Sequence, residues 1–145
     1  MSMDLIKSYN KKYEFFRDIT GVAMKVYNKY KYGLAESAYE AAIKYLLEKD
    51  GYYVECQAYL PIYWDDVKLD KNYRMDLVVN EEIIIELKAV SFIDMQHRKQ
   101  LWNYMRLTHL PYGMLINFGN EKNLYSEWYQ YNVGENTIEK IQLLE

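Results

Sequence analysis

The chain has 145 residues, half of them apolar and 27% charged, a size and balance that indicate one globular domain and exclude a disordered chain. Its net charge of −3 argues against strong nonspecific binding to nucleic acid, no apolar run is long enough to cross a membrane, and the first ten residues lack the apolar core of a signal peptide. The single cysteine, Cys56, excludes an internal disulfide and fits a reducing compartment, so we expect one cytoplasmic domain over residues 1–145.

The first predicted element is a basic helix. Apolar side chains recur at helical spacing from about Tyr13 to Lys31, and Gly33 ends the pattern. Residues 1–31 carry seven bases against three acids, although the whole chain is acidic; the bases are Lys7, Lys11, Lys12, Arg17, Lys25, Lys29 and Lys31. This helix face either contacts phosphates or is simply solvated. The 17 tyrosines likewise reflect either compositional bias or rings that stack on bases.

The remaining elements follow in chain order from changes in periodicity. A second apolar stripe predicts a helix from about Leu34 to Lys49, stopped at Gly51. Asp94 is the predicted N-cap of a third helix that continues through Thr108. Strand patterns occupy residues 54–62, 73–79, 83–90 and 112–118, with weaker signals at 128–131 and 137–141. The order α-α-β-β-β-α-β predicts an α/β sandwich, a mixed β-sheet flanked by helices.

Two features interrupt the first strand and its connection. Pro61 cannot donate a ladder hydrogen bond, so the end of this strand is predicted to lie on a sheet edge or at a bulge. Asp65 and Asp66 predict a turn directly after it.

The strand at residues 83–90 carries charges that a covered strand would normally exclude. Glu86 and Lys88 interrupt its apolar run and, being two residues apart, point to the same face. Asp76 lies opposite Glu86 if the loop at 80–82 has three residues, because a two-residue loop would shift the register. Two adjacent carboxylates repel and favour a hard divalent cation, and the lysine is suited to orient water or stabilise a negative transition state. The alternative is a solvated ion pair.

The third predicted helix carries a second polar group. Gln100 and Tyr104 are four residues apart and share a face, and His97 lies one turn earlier on the same side. These side chains either form a shell over the proposed metal site, or they are a glutamine bonded to a sheet edge and a histidine with ordinary partners.

Two glutamates of the second predicted helix are candidates to reach the same site. Glu36 lies about a quarter turn from the centre of the apolar stripe and Glu40 lies further out, so Glu36 is the better placed. Its alternative role is that of a first-turn glutamate that interacts with the helix dipole.

Four ordered blocks of sequence resemble the GxxExxY proteins. The first block, Gly33-x-x-Glu36-x-x-Tyr39, reproduces the signature for which that family is named. The other three blocks are residues 73–79 with 84–90, residues 100–104 and residues 115–119. The resemblance covers residues 13 to about 120, and the Gln-x-x-x-Tyr element is similar to that of RecB-like nucleases. Met75 stands before Asp76 where the name of the superfamily has proline.

The resemblance implies a fold and an activity. The GxxExxY family is placed in the PD-(D/E)xK superfamily, which implies a restriction-endonuclease-like fold and a metal-dependent nuclease that hydrolyses phosphodiester bonds of DNA or RNA. The rival interpretation is a catalytically silent module on the same fold that binds nucleic acid or protein.

Specific roles follow from this resemblance. Asp76 and Glu86 would bind Mg²⁺ or Mn²⁺ together with the backbone carbonyl of Leu87, and Lys88 would position or activate the attacking water. Glu36 would complete the metal shell directly or through water. The expected task of Gln100, Tyr104 and His97 is to orient this site or hold the substrate backbone.

Overall fold

The structure is a computed structural model that describes residues 13–142. In chain order the elements are α1 (Glu14–Tyr30), α2 (Glu36–Lys49), β1 (Val54–Trp64), β2 (Val67–Val79), β3 (Ile83–Lys88), α3 (Met95–Thr108), β4 (Tyr112–Asn117), β5 (Tyr125–Asn132) and β6 (Thr137–Ile141). Lys7, Lys11 and Lys12 of the predicted basic segment lie outside the described residues. Within those residues no helix is both long and apolar enough to span a membrane.

The strands of the described chain form one six-stranded sheet in the order β1-β2-β3-β4-β5-β6. Neighbouring strands are antiparallel except β3 and β4, which are parallel and joined through α3. Such a crossover places the connecting helix on one face of the sheet. The mixed sheet flanked by helices that the sequence predicts is therefore confirmed.

Apolar side chains cover both faces of the central strands. Ile83, Ile85 and Leu87 of β3 pack into the core that α1 and α2 complete. Ile84 points the other way and packs with Leu101 of α3. This alternation follows from the two-residue period of a strand, and it directs Glu86 and Lys88 towards the α3 side.

The hairpin of β1 and β2 is longer than the sequence predicts. β2 begins at Val67 instead of residue 73, because residues 67–74 are exposed and carry no apolar alternation. The predicted turn is confirmed: Trp64 pairs with Val67 across Asp65-Asp66, and the register shifts between Pro61 and Tyr63 as expected for a bulge. Only residues 77–79 of β2 pair with β3, so the rest of the hairpin forms an arm that extends past that ladder.

Candidate active site

The connection between β2 and β3 sets the register of the site. The turn occupies the three residues 80–82, as predicted, and the ladder between the two strands ends where Leu77 pairs with Ile85. One step further in this register, Asp76 faces Glu86. The structure therefore brings these two acids together across neighbouring strands.

Side chains replace the ladder where β2 and β3 separate. The Asp76 amide donates to Glu86 Oε1 at 3.1 Å, and the Leu87 amide donates to Asp76 Oδ2 at 2.8 Å. Each carboxylate is thus held by backbone from the strand opposite. These bonds fix the carboxylates in the gap between the strands without neutralising either one.

The two acids share an environment that disfavours their charge. Glu86 is only 2% exposed. Burial, followed by the neighbouring charge of Asp76, raises the Glu86 pKa to about 8. Burial also raises the pKa of Asp76, and the charge of Glu40 adds to this effect. An adjacent cation would relieve both costs, so the pair suits a positively charged ligand.

Lys88 connects the acids to α3. Its Nζ donates to Gln100 Oε1 at 3.0 Å, and Gln100 Nε2 donates to the Tyr104 hydroxyl at 3.2 Å. Burial, with the charge of Glu86 as the next cause, raises the Tyr104 pKa to about 12, so this hydroxyl stays protonated. The structure therefore brings the predicted residues Lys88, Gln100 and Tyr104 into one chain of hydrogen bonds.

The Gly33-x-x-Glu36-x-x-Tyr39 motif places Glu36 at the end of β3. Gly33 has a φ of +106°, a conformation that glycine adopts without strain, and the chain then turns into α2. The Tyr39 hydroxyl donates to the Lys31 carbonyl and accepts from the Leu34 amide, which explains why α2 begins at Glu36 rather than Leu34. Glu36 Oε2 then accepts from the amide of Ala89 at 3.2 Å.

Glu40 also approaches the acids, through Gln57, a residue that the sequence pattern did not single out. Glu40 is buried and accepts hydrogen bonds from Cys56 Sγ and from Gln57 Nε2. The same Gln57 Nε2 lies 3.4 Å from Asp76 Oδ1. Gln57 has a φ of +52°, which is uncommon for a residue with a side chain. Its amide therefore bridges Glu40 to Asp76 from a strained position in β1.

Asn117 is a second positioning residue without a predicted role. It is the polar exception in β4, it is buried, and its amide pairs both ways with Val90. Asn117 Oδ1 accepts from the Val90 amide at 3.0 Å, and its Nδ2 donates to the Val90 carbonyl at 2.9 Å. Gly119 packs against the same segment so closely that a Cβ there would lie 2.2 Å from Val90 backbone atoms. These contacts hold the chain directly after Lys88, and β3 consequently ends at Lys88 instead of continuing to Val90.

His97 is not placed in this cluster. Its backbone amide donates to Asp94 Oδ1, and its Nδ1 accepts from the Asp94 amide, so the two residues form the capping box of α3. Asp94 is the N-cap that the sequence predicts. Capping accounts for His97 without a substrate, and we leave it out of the proposed site.

The residues present fit a hard divalent cation. Among residues 13–142, no group of three His, Cys, Asp or Glu side chains is arranged to hold a metal ion. Mg²⁺ needs no such group, because it commonly keeps several waters and binds one or two carboxylates, which Asp76 and Glu86 supply. The Leu87 amide points towards Asp76, and the carbonyl of a strand residue points to the same edge as its amide. The Leu87 carbonyl is thus directed at the same gap.

Comparisons with known proteins point to one superfamily. The model of the PD-(D/E)XK nuclease superfamily matches residues 13–128. Among solved structures, the crystal structure of SSO0001 is similar at 18% identity and a TM-score of 0.46, over 85% of this chain and 59% of that chain. A similarity this weak supports no conclusion about function. None of the curated proteins matches the chain.

Proposed function

The chain belongs to the PD-(D/E)XK nuclease superfamily, and we propose that it is a metal-dependent nuclease that hydrolyses phosphodiester bonds of nucleic acid. The six-stranded mixed sheet with helices on its faces is consistent with the restriction-endonuclease-like fold of that superfamily. The observation that carries the proposal is the opposed pair Asp76 and Glu86, held in a gap between strands with Lys88 directly after it. Within the superfamily, the Gly33-x-x-Glu36-x-x-Tyr39 motif supports assignment to the GxxExxY proteins.

The proposed metal is Mg²⁺, with Mn²⁺ as a substitute, since nucleases of this superfamily generally use divalent ions. Asp76, Glu86 and the Leu87 carbonyl would hold it, and Glu36 would contribute directly or through water. Glu36 Oε1 makes no hydrogen bond within the described part of the chain and is available for this task. When bound, the ion polarises the phosphoryl group and lowers the pKa of bound water.

The chain's own residues perform the remaining tasks. Lys88 Nζ, held by Gln100, presents a positive charge and proton donors to the attacking water or to the negative charge that develops on the phosphate. Tyr104 stays protonated and fixes the orientation of the Gln100 amide. Burial of Glu86 excludes water from the inner side of the site, which strengthens each of these interactions.

The rival function is a catalytically silent module that binds nucleic acid or protein. The net charge of −3 favours it, because strong binders of the phosphate backbone usually carry a basic surplus. Against it stands the complete set of acids and lysine.

A cleavage assay tests the proposal. Single- and double-stranded DNA and RNA are incubated with the purified protein in Mg²⁺ or Mn²⁺, and in EDTA as the control. We expect cleavage that requires the metal and is lost in Asp76→Asn. Cleavage that survives in Asp76→Asn would assign the activity elsewhere, whereas metal binding without cleavage of any nucleic acid would favour the rival.

A further inference from the structure

A groove of about 560 Å³ runs between α3 and the arm formed by β1 and β2. Its inner end is formed by Gln100 and Tyr104, which connect to Lys88. Its outer part is lined by Tyr73 of the arm and by the polar side chains of α3. The groove therefore leads from the protein surface to the proposed catalytic lysine.

One face of α3 supplies unpaired positive charge to this groove. Lys99, Asn103 and Arg106 share the groove face, and Leu101 and Met105 are buried on the opposite face. Among residues 13–142, neither Lys99 nor Arg106 has a hydrogen-bond or ion-pair partner. No acidic residue occurs within α3 itself. The two cations, about 10 Å apart along the helix axis, are therefore available to a polyanion.

The arm presents aromatic rings together with cations. Tyr73 is 38% exposed, and its ring centroid lies 5.7 Å from that of Tyr104. The Lys71 ammonium lies 5.0 Å from the Tyr73 ring, and the Arg74 guanidinium lies 4.8 Å from the ring of Tyr59. Exposed rings beside cations suit a ligand that has both flat bases and phosphates.

We propose that this groove binds single-stranded nucleic acid, with a base on Tyr73 and phosphates on Lys99 and Arg106, and that it guides the strand to Lys88. Base stacking on Tyr73 requires an unpaired base, because the bases of a duplex are stacked on one another. The cations lie in a narrow line inside a groove on an acidic protein, whereas duplex binding by phosphate contacts uses a broad basic surface. This inference rests on the proposed nuclease function, of which it specifies the substrate class.

Binding in EDTA tests the groove independently of cleavage. Fluorescence anisotropy would compare a labelled single strand of about 12 nucleotides with a duplex of equal length, each over a range of salt concentrations. We expect tighter binding of the single strand. Lys99→Glu with Arg106→Glu should weaken that binding by at least about tenfold and lower the salt slope by about two. Tyr73→Ala should weaken it by about fivefold or more with little change in slope.

The matched control is Lys49→Glu with Lys140→Glu, which makes the same change of charge at exposed positions on α2 and on β6. This control should bind the single strand nearly as tightly as the wild type. Equal weakening by the control, unchanged binding in the groove variants, or a preference for the duplex would overturn the proposal. Thermal melts establish that each variant is folded.

The two proposals fail in different ways. Groove-dependent binding in EDTA without cleavage in Mg²⁺ would retain the groove and reject the nuclease. Cleavage that depends on Asp76, combined with binding that ignores Lys99, Arg106 and Tyr73, would retain the nuclease and reject the groove.

Discussion

The backbone amide of Asp76 donates to Glu86 Oε1 at 3.1 Å at the point where β2 and β3 stop pairing with each other. A side chain thus occupies a position where a strand carbonyl would normally accept. This substitution keeps two acids side by side in a buried gap, and the cost is repaid when a cation binds. The arrangement explains how a strongly apolar strand tolerates Glu86 at its centre.

Removal of one charge from this pair should not destabilise the metal-free protein. In Asp76→Asn we expect a free energy of unfolding equal to or above that of the wild type, because the repulsion of Glu86 is relieved while the Oδ acceptor remains. Mg²⁺ should stabilise the wild type by about 1.4 kcal/mol at ten times its Kd, and less in Asp76→Asn. Thermal melts with and without Mg²⁺ measure both effects. A loss of about 3–5 kcal/mol in the metal-free variant, with no Mg²⁺ effect on the wild type, would identify a structural pair instead.

Gln57→Gly separates the amide bridge from the backbone that carries it. Glycine adopts the φ of +52° without strain, so stability should be unchanged or slightly increased. Loss of the link between Glu40 and Asp76 should lower Mg²⁺ affinity and cleavage by about tenfold. Asp65→Gly, at another position with a φ of +52°, is the matched control and should leave both unchanged. Equal metal affinity in Gln57→Gly and wild type would assign Gln57 no role in the site.

The sequence predicts the centre of the site better than its supports. Three residues at 80–82 suffice to place Asp76 opposite Glu86, because turn length and the two-residue period of a strand fix the register. Gln57 and Asn117 carry no such signal, since each acts through contacts with residues distant in the chain. The arm was predicted too short because its exposed residues lack apolar alternation.

Gly119 should tolerate no side chain. In Gly119→Ala the new Cβ would meet the backbone of Val90 at 2.2 Å, so the segment after Lys88 must move. We expect a loss of stability of about 1–3 kcal/mol, together with reduced cleavage. Gly21→Ala is the control, because a Cβ there meets nothing within 4 Å and alanine favours the helix by roughly 0.5–1 kcal/mol. Urea unfolding of the two variants should shift in opposite directions, and a neutral Gly119→Ala would contradict the packing argument.

The ion pair of Arg98 with Glu127 should make stability fall in acid. Burial alone would raise the pKa of Glu127, but hydrogen bonds from Arg98, Tyr125 and Tyr129 outweigh it and lower the pKa from 4.5 to about 2. Because the folded pKa is depressed, the stabilisation is present above the unfolded pKa and is lost as the pH falls towards 2. Between about pH 5 and pH 3 the wild type should lose about 2 kcal/mol that Glu127→Gln does not lose. Urea unfolding at both pH values measures the difference, and equal losses would remove Glu127 from this account.

Lys88→Met tests the central claim most directly, when Mg²⁺ binding and cleavage of nucleic acid are measured on the same preparation beside the wild type. Lysine is not an oxygen ligand, so this variant should retain Mg²⁺ binding, measured by calorimetry. Cleavage should fall by at least about a hundredfold, because the positive charge held by Gln100 is removed from the reacting phosphate. A Lys88→Met protein that cleaves at the wild-type rate, or a wild type that binds Mg²⁺ and cleaves no nucleic acid, would contradict the assignment of Asp76, Glu86 and Lys88 as a nuclease centre.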